Sequence, residues 1–269
     1  MKLLKTVSLS FITLSFLLAS CKKEDNESKN CGILKTELYE ANTVAFRGYY
    51  TYTNNQITKV EVPEIGGYYL LDYTGDKITK RNFFVNGSSV IDMYDQISYN
   101  ADGTINKIET FELVGPGNTY ERYNLTTFIY TNGKLSKLQI FEDWGNATEL
   151  IEEYTYTYTG NNITSFVYKD LETFQTKNFT FQYNTENNFY HALNSHILLA
   201  DPVLSSVDGM FPVIAGELLP LVLSANNATS IQEDNTAAMP IEYTKDENGN
   251  ITALRIDGEQ RIGYAYRCN

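Results

Sequence analysis

The chain is poor in the residues on which catalysis and metal binding most often depend. Its 269 residues include one tryptophan, two histidines, four methionines, three cysteines and six prolines. His191 and His196 stand five apart, which suits neither adjacent turns of a helix nor one face of a strand, and no glutamate lies between them. They read as ordinary loop or surface histidines rather than metal ligands. There is no phosphate-binding glycine loop, no dinucleotide fingerprint, no nucleophile elbow and no Cys-His pair free for catalysis. Asp246-Glu247-Asn248-Gly249-Asn250 has some flavour of a calcium loop, but its glycine is misplaced and the closing acid is missing, so a hairpin turn explains it better. No metal and no cofactor is expected. Positive charge is also scarce: 21 Lys and Arg face 33 Asp and Glu, a net charge of −12. An acidic chain repels phosphate backbones, which argues against nucleic acid as a partner.

The one long apolar run is at the start. Lys2 and Lys5 precede an apolar core from Val7 to Leu18, too short for a membrane span of about 20 residues. Leu18-Ala19-Ser20-Cys21 resembles the lipobox of bacterial lipoproteins. That resemblance implies that residues 1–20 are a signal peptide, that Cys21 takes the lipid, and that the mature N-terminus is acylated. Small side chains before the cut admit a peptidase, and a thiolate is the nucleophile the acyl chemistry needs. Residues 21–30 are charged and carry no apolar residue after the cysteine, so they form a flexible tether. Lys23-Glu24-Asp25 resembles the export signal of surface-exposed Bacteroidetes lipoproteins. The expected location is therefore the outer membrane, surface-exposed, with a periplasm-facing anchor as the alternative. The membrane is expected as a partner through the lipid alone.

Residues 31–269 form one domain, rich in tyrosine (21) and phenylalanine (14). One hairpin is written in it many times. Tyr52-Thr-Asn54-Asn55-Gln-Ile57-Thr-Lys-Val60 is a strand end, a polar turn and a new strand. The pattern returns at Tyr73, Tyr99, Tyr130, Tyr158 and Tyr243, and more loosely at Tyr183. Asn-Gly and Asp-Gly pairs tolerate the positive φ of tight hairpin turns. Tyr154-Thr-Tyr156-Thr-Tyr158 and Phe179-Thr-Phe181-Gln-Tyr183 put rings on one face and short polar groups on the other. The apolar residues after each turn are three apart, which in a flat strand would split them between faces. A bulge, or a first residue packed under the turn, is expected. The fold class is all-β: an antiparallel meander of roughly 14 strands, at two per hairpin, curled into a barrel-like sheet.

These hairpins resemble the Tyr-Asp repeats of bacterial surface and toxin-shell proteins. Still more do they resemble a family of Bacteroidetes lipoproteins of unknown function with a porin-like fold, from Cys31 through the Tyr-turn-Ile hairpins to the closing Tyr264-x-Tyr266-x-Cys268. The resemblance implies a curved, barrel-like sheet and lends no activity. A membrane-spanning barrel is excluded by the second strand face, which reads Thr, Lys, Glu, Asn and Gln where lipid would demand an apolar band.

The stretch 197–224 breaks the pattern. Pro202, Pro212 and Pro220 fall where no central strand accepts them, and Asp201-Pro202 reads as a helix start. A short helical insert near 200–224 is expected, either plugging the barrel or crossing one rim. Cys31 and Cys268, at the two ends of the domain, form an even pair suited to a disulfide in an oxidising compartment.

Trp144, between Asp143 and Gly145 in a hairpin loop, is the candidate ligand contact, against the reading of a structural turn aromatic. Adjacent acids such as Glu152-Glu153 point to opposite faces of a strand and cannot cooperate locally. Two functions remain: a non-catalytic binding or structural module with a glycan, peptide or envelope-protein ligand, or an envelope hydrolase whose site is assembled across the barrel.

Overall fold

The computed structural model describes residues 31–115, 117–144, 147–188 and 219–268. The leader, Cys21 and the tether, both histidines and most of the proline-rich insert lie outside them. The described residues form sixteen strands: β1 (Cys31–Glu40), β2 (Thr43–Thr53), β3 (Gln56–Val62), β4 (Gly67–Thr74), β5 (Lys77–Val85), β6 (Met93–Tyr99), β7 (Ile105–Gly115) and β8 (Thr119–Thr131), then β9 (Lys134–Trp144), β10 (Ala147–Thr159), β11 (Asn162–Asp170), β12 (Gln175–Asn187), β13 (Asn226–Glu233), β14 (Met239–Lys245), β15 (Ile251–Ile256) and β16 (Glu259–Cys268). Each pairs with its neighbours in sequence, and β1 pairs with β16 to close an antiparallel barrel.

Sixteen strands are slightly more than the roughly fourteen expected. Six Tyr-turn hairpins join β2/β3, β4/β5, β6/β7, β8/β9, β10/β11 and β14/β15. The looser copy at Tyr183 does not turn where the pattern suggests: β12 continues to Asn187, and its partner β13 starts only at Asn226, beyond the insert. The two uncounted strands are β1 and β16, which pair with no turn between them, so no turn signal marks them. Closure removes every exposed sheet edge.

The spacing puzzle resolves as a bulge. Thr51 pairs with Lys59 and Tyr52 with Ile57, leaving Thr58 unpaired. The same shift occurs at Tyr73, Tyr99, Tyr130 and Tyr158, and between Thr244 and Lys245. The extra residue turns both apolar positions to one face, so Ile57 and Val60, or Ile163 and Phe166, are buried together. It also explains why Thr or Ser so often follows the aliphatic residue. The hydroxyl of Ser136 donates to the Ile129 carbonyl at 3.0 Å, and Thr58 and Thr164 make longer contacts of 3.4 Å to Thr51 and Thr157. A short hydroxyl satisfies a carbonyl that the bulge removes from the ladder.

The repeat tyrosines tie each hairpin to the one before it. The hydroxyls of Tyr52, Tyr73 and Tyr99 donate to the carbonyls of Ile33, Ile57 and Ile78, each at 2.8 Å. Tyr183 and Tyr266 do the same to Ile163 and Ile251. Burial pushes the Tyr73, Tyr99 and Tyr183 phenols up to about 12.

Buried and exposed residues alternate along the strands, as in β12, where Phe179 and Phe181 are buried between exposed Asn178, Thr180 and Gln182. In a closed sheet the buried face is the lumen. Aromatic rings pack there, with Phe166 and Phe179 stacked at 4.5 Å between centroids. The outward face mixes Thr, Lys and Glu with ring pairs on β4 to β8, Tyr68 on Phe84 and Tyr94 on Phe111. Of the expected insert, residues 219–223 are described and are helical. Leu221 and Val222 join the lumen core, and Asn188 donates to the carbonyls of Leu221 and Ser224 at 2.7 and 2.6 Å. Ser224 and Ala225 fix the end of this turn to Ile163, Tyr183 and Asn161 at the rim of the Tyr hairpins; the remainder of the insert lies outside the described residues.

Candidate ligand-binding rim

The topology gives the barrel two unlike rims. One carries the Tyr hairpins and both ends of the fold, since Cys31 pairs with Cys268 there; it is the terminal rim. The far rim carries the other connections, among them residues 86–92 and 171–174.

Strands β5 to β8 lay a polar row across the lumen towards the far rim. Arg81 pairs with Asp95, Asp95 with Thr110, and Thr110 with Asn124, all on the inward face and all buried. Arg81 Nε and Thr110 Oγ1 both donate to Asp95, at 2.8 and 2.7 Å. Asn124 in turn pairs with Glu142, and Glu142 with Glu149.

The row thus ends in a group of carboxylates. Glu152 pairs with Asp170 across β10 and β11 and accepts hydrogen bonds from the hydroxyls of Tyr154 and Tyr168 at 3.1 and 3.2 Å. Burial pushes the Glu152 carboxyl above its usual range, and repulsion from Asp170 and Glu172 adds to this against the two tyrosines. Glu142 is raised by burial and by Glu172, with Tyr123 opposing. Burial raises Asp170 too, but hydrogen bonds from Thr173 and the Glu172 amide hold it below the usual value. Its Oδ1 accepts both backbone N–H groups, at 2.8 and 3.0 Å, and shapes the turn into β12. That turn ends at Phe174, which is 88% exposed and left-handed at φ +56. On the outward side, Arg122 grips both Asp143 oxygens at 2.6 and 3.1 Å and reaches Thr148 at 3.1 Å. This fork stiffens the hairpin between β9 and β10.

Of the residues singled out in the sequence, Trp144 is the last residue of β9 and pairs with Ala147, which puts its backbone on the far rim, two residues beyond Glu142. Its side chain lies outside the described residues, as do those of Cys31 and Cys268, whose backbones face one another in the pairing that closes the barrel. Glu152 and Glu153 do point apart: Glu153 meets Lys137 at 2.8 Å on the outer face. Glu152 itself was legible from period-two alternation, because it shares its face with Tyr154, Tyr156 and Tyr158. Its meeting with Asp170 and Glu172 was not, because a different hairpin brings them. Among the described residues, no group of three or more His, Cys, Asp or Glu is arranged to hold a metal ion. The rim offers hydrogen-bond acceptors, negative charge and an exposed ring, a set suited to holding a ligand.

No protein-family model matches the chain, and no curated protein matches it. Among solved structures it is similar to a porin-like protein from Bacteroides uniformis, at 15% identity and a TM-score of 0.41 over 87% of this chain and 98% of that one. It is also similar to a DUF3836 family protein from Bacteroides vulgatus, at 13% identity and a TM-score of 0.25 over 35% of this chain and 83% of that one. A third likeness is to TcdB2-TccC3, at 13% identity and a TM-score of 0.22, covering 80% of this chain and 10% of that one. Likenesses at these identities and scores say nothing of activity.

Proposed function

We propose that this chain is a non-catalytic binding module of the bacterial cell envelope, anchored through a lipid on Cys21 and presenting its far rim away from the membrane. One observation carries the reading. Both ends of the fold sit on the terminal rim, so a tether attached before Cys31 leaves Trp144, Glu152 and Phe174 on the side turned away from the anchor. An oxidised Cys31–Cys268 pair at the closure would suit an extracytoplasmic location. A hydrolase would have to use Glu152, whose raised carboxyl suits a general acid. Yet two tyrosine hydroxyls hold it.

The test is made on intact cells and on purified mature protein. Wild type should incorporate fatty-acid label and be shaved by external protease, and Cys21→Ala should lose the label. Trp144→Ala should weaken capture from arrayed glycans and peptides without changing the melting temperature. Equal labelling of Cys21→Ala, or turnover of a glycoside, ester or peptide substrate that Glu152→Gln abolishes, would sink the reading.

A further inference from the structure

Phe174 occupies a position that costs the fold stability. At φ +56 it is left-handed, a conformation in which the Cβ of an ordinary side chain crowds the carbonyl oxygen. Elsewhere in the described chain such non-glycine positions go mostly to Asn or Asp, as at Asn54, Asn132, Asp234 and Asp257, whose short polar groups tolerate it. Nor does the ring recover the cost by burial, since it is 88% exposed. Glycine would serve the turn better, so folding does not account for the phenyl ring. One exposed apolar side chain needs no explanation by itself, but several gathered on one rim can mark an interaction surface. Val85, Val90 and Val114, other large apolar residues left exposed, also lie towards the far rim.

The charge around Phe174 selects the partner. Asp170 and Glu172 precede it in the same turn, and Glu152, Glu142 and Glu149 follow on the next two strands. Lys177, the nearest lysine in sequence, is held by Glu233 at 3.1 Å, and Lys169 is turned to the outer face beside Glu153, at 4.0 Å. By contrast, Lys77, Lys134 and Lys245 stand next to the turns of the terminal rim. An anionic membrane surface would be repelled by the far rim, and a neutral sugar would leave its charges unused. A guanidinium can stack on an aromatic face and form forked hydrogen bonds to carboxylates.

We propose that the far rim docks an arginine- and lysine-rich polypeptide segment, with Phe174 as aromatic anchor and Glu142, Glu149, Asp170 and Glu172 as counter-charges. This rests on the binding-module reading and names the partner's chemistry. The probe is a fluorescent hexa-arginine peptide titrated into mature protein at low and physiological salt. Binding should saturate, and Phe174→Gly should weaken it about 3- to 10-fold while raising the melting temperature. Glu172→Gln should weaken binding and flatten its salt dependence, whereas Asp246→Asn on the terminal rim should leave it unchanged. The inference falls if Phe174→Gly binds like wild type or melts lower, or if Asp246→Asn weakens binding as much as Glu172→Gln. It also falls, with the module reading intact, if mature protein captures a glycan through Trp144 and ignores hexa-arginine.

Discussion

Arg81 and Asp95 form an ion pair inside the barrel, with Nε to Oδ2 at 2.8 Å and each residue only 3% exposed. Thr110 takes the second carboxylate oxygen at 2.7 Å. Two charges withdrawn from water hold each other in place, and each becomes a liability without its partner. Asp95→Ala should cost about 3–5 kcal/mol in urea unfolding. Joint replacement of Arg81 and Asp95 by Met and Leu should recover much of that. A loss under about 1 kcal/mol for the single variant would show that water reaches the pair.

Glu152 makes stability depend on pH. Its carboxyl is raised in the fold, chiefly by burial, above an ordinary value of 4.5. Folding therefore favours the protonated form. The stability contributed by that form is fully present below 4.5 and is lost as pH rises through the raised value. Glu152→Gln, which stays neutral, should melt higher than wild type at pH 7–8, and the gap should close on acidification to about pH 4. A gap independent of pH would assign the effect to packing instead.

Tyrosine hydroxyls two hairpins apart on the terminal rim should act independently. Tyr52→Phe and Tyr99→Phe each remove one bond to a backbone carbonyl, of Ile33 and Ile78. Each should cost about 1 kcal/mol, and the double variant should cost their sum, because a whole hairpin lies between them and they share no partner. A neutral result for both would mean that the rings alone join the hairpins.

Cys31 and Cys268 are partners in the β1–β16 register. Directly opposed residues of an antiparallel pair lie about 4.5–5.5 Å apart at Cα, within the span a disulfide needs. Protein secreted under oxidising conditions should yield the linked peptides on non-reducing digestion. Cys268→Ser should lower stability by about 2–4 kcal/mol, and reductant should bring wild type to the same level. Two thiols freely alkylated in folded, secreted protein would disprove the link.

Much of the wall of the barrel was legible before any coordinates, because it is local. Alternation in Tyr154–Tyr158 and Phe179–Tyr183 assigns faces, Asn-Gly and Asn-Asn mark turns, and the three-residue step from Ile57 to Val60 calls for a bulge or a residue packed under the turn, of which the structure has the bulge, at Thr58. The strand count missed β1 and β16 because their pairing has no turn. Among site residues, Trp144 was placed in a hairpin loop and ends a strand at one. The carboxylates around Glu152 and the Arg81–Asp95 pair could not be read in advance.

The sequence by itself determined the composition of each hairpin, its bulge and the inward turn of its rings, since these follow from φ preferences and period-two patterning within about a dozen residues. Closure, the facing of Cys31 with Cys268, and the gathering of Glu142, Glu152, Asp170 and Glu172 on the rim opposite the chain ends were decided by the tertiary structure alone. Those relationships depend on register and curvature summed over sixteen strands. A shift of a single residue at any pairing would turn a buried acid outward.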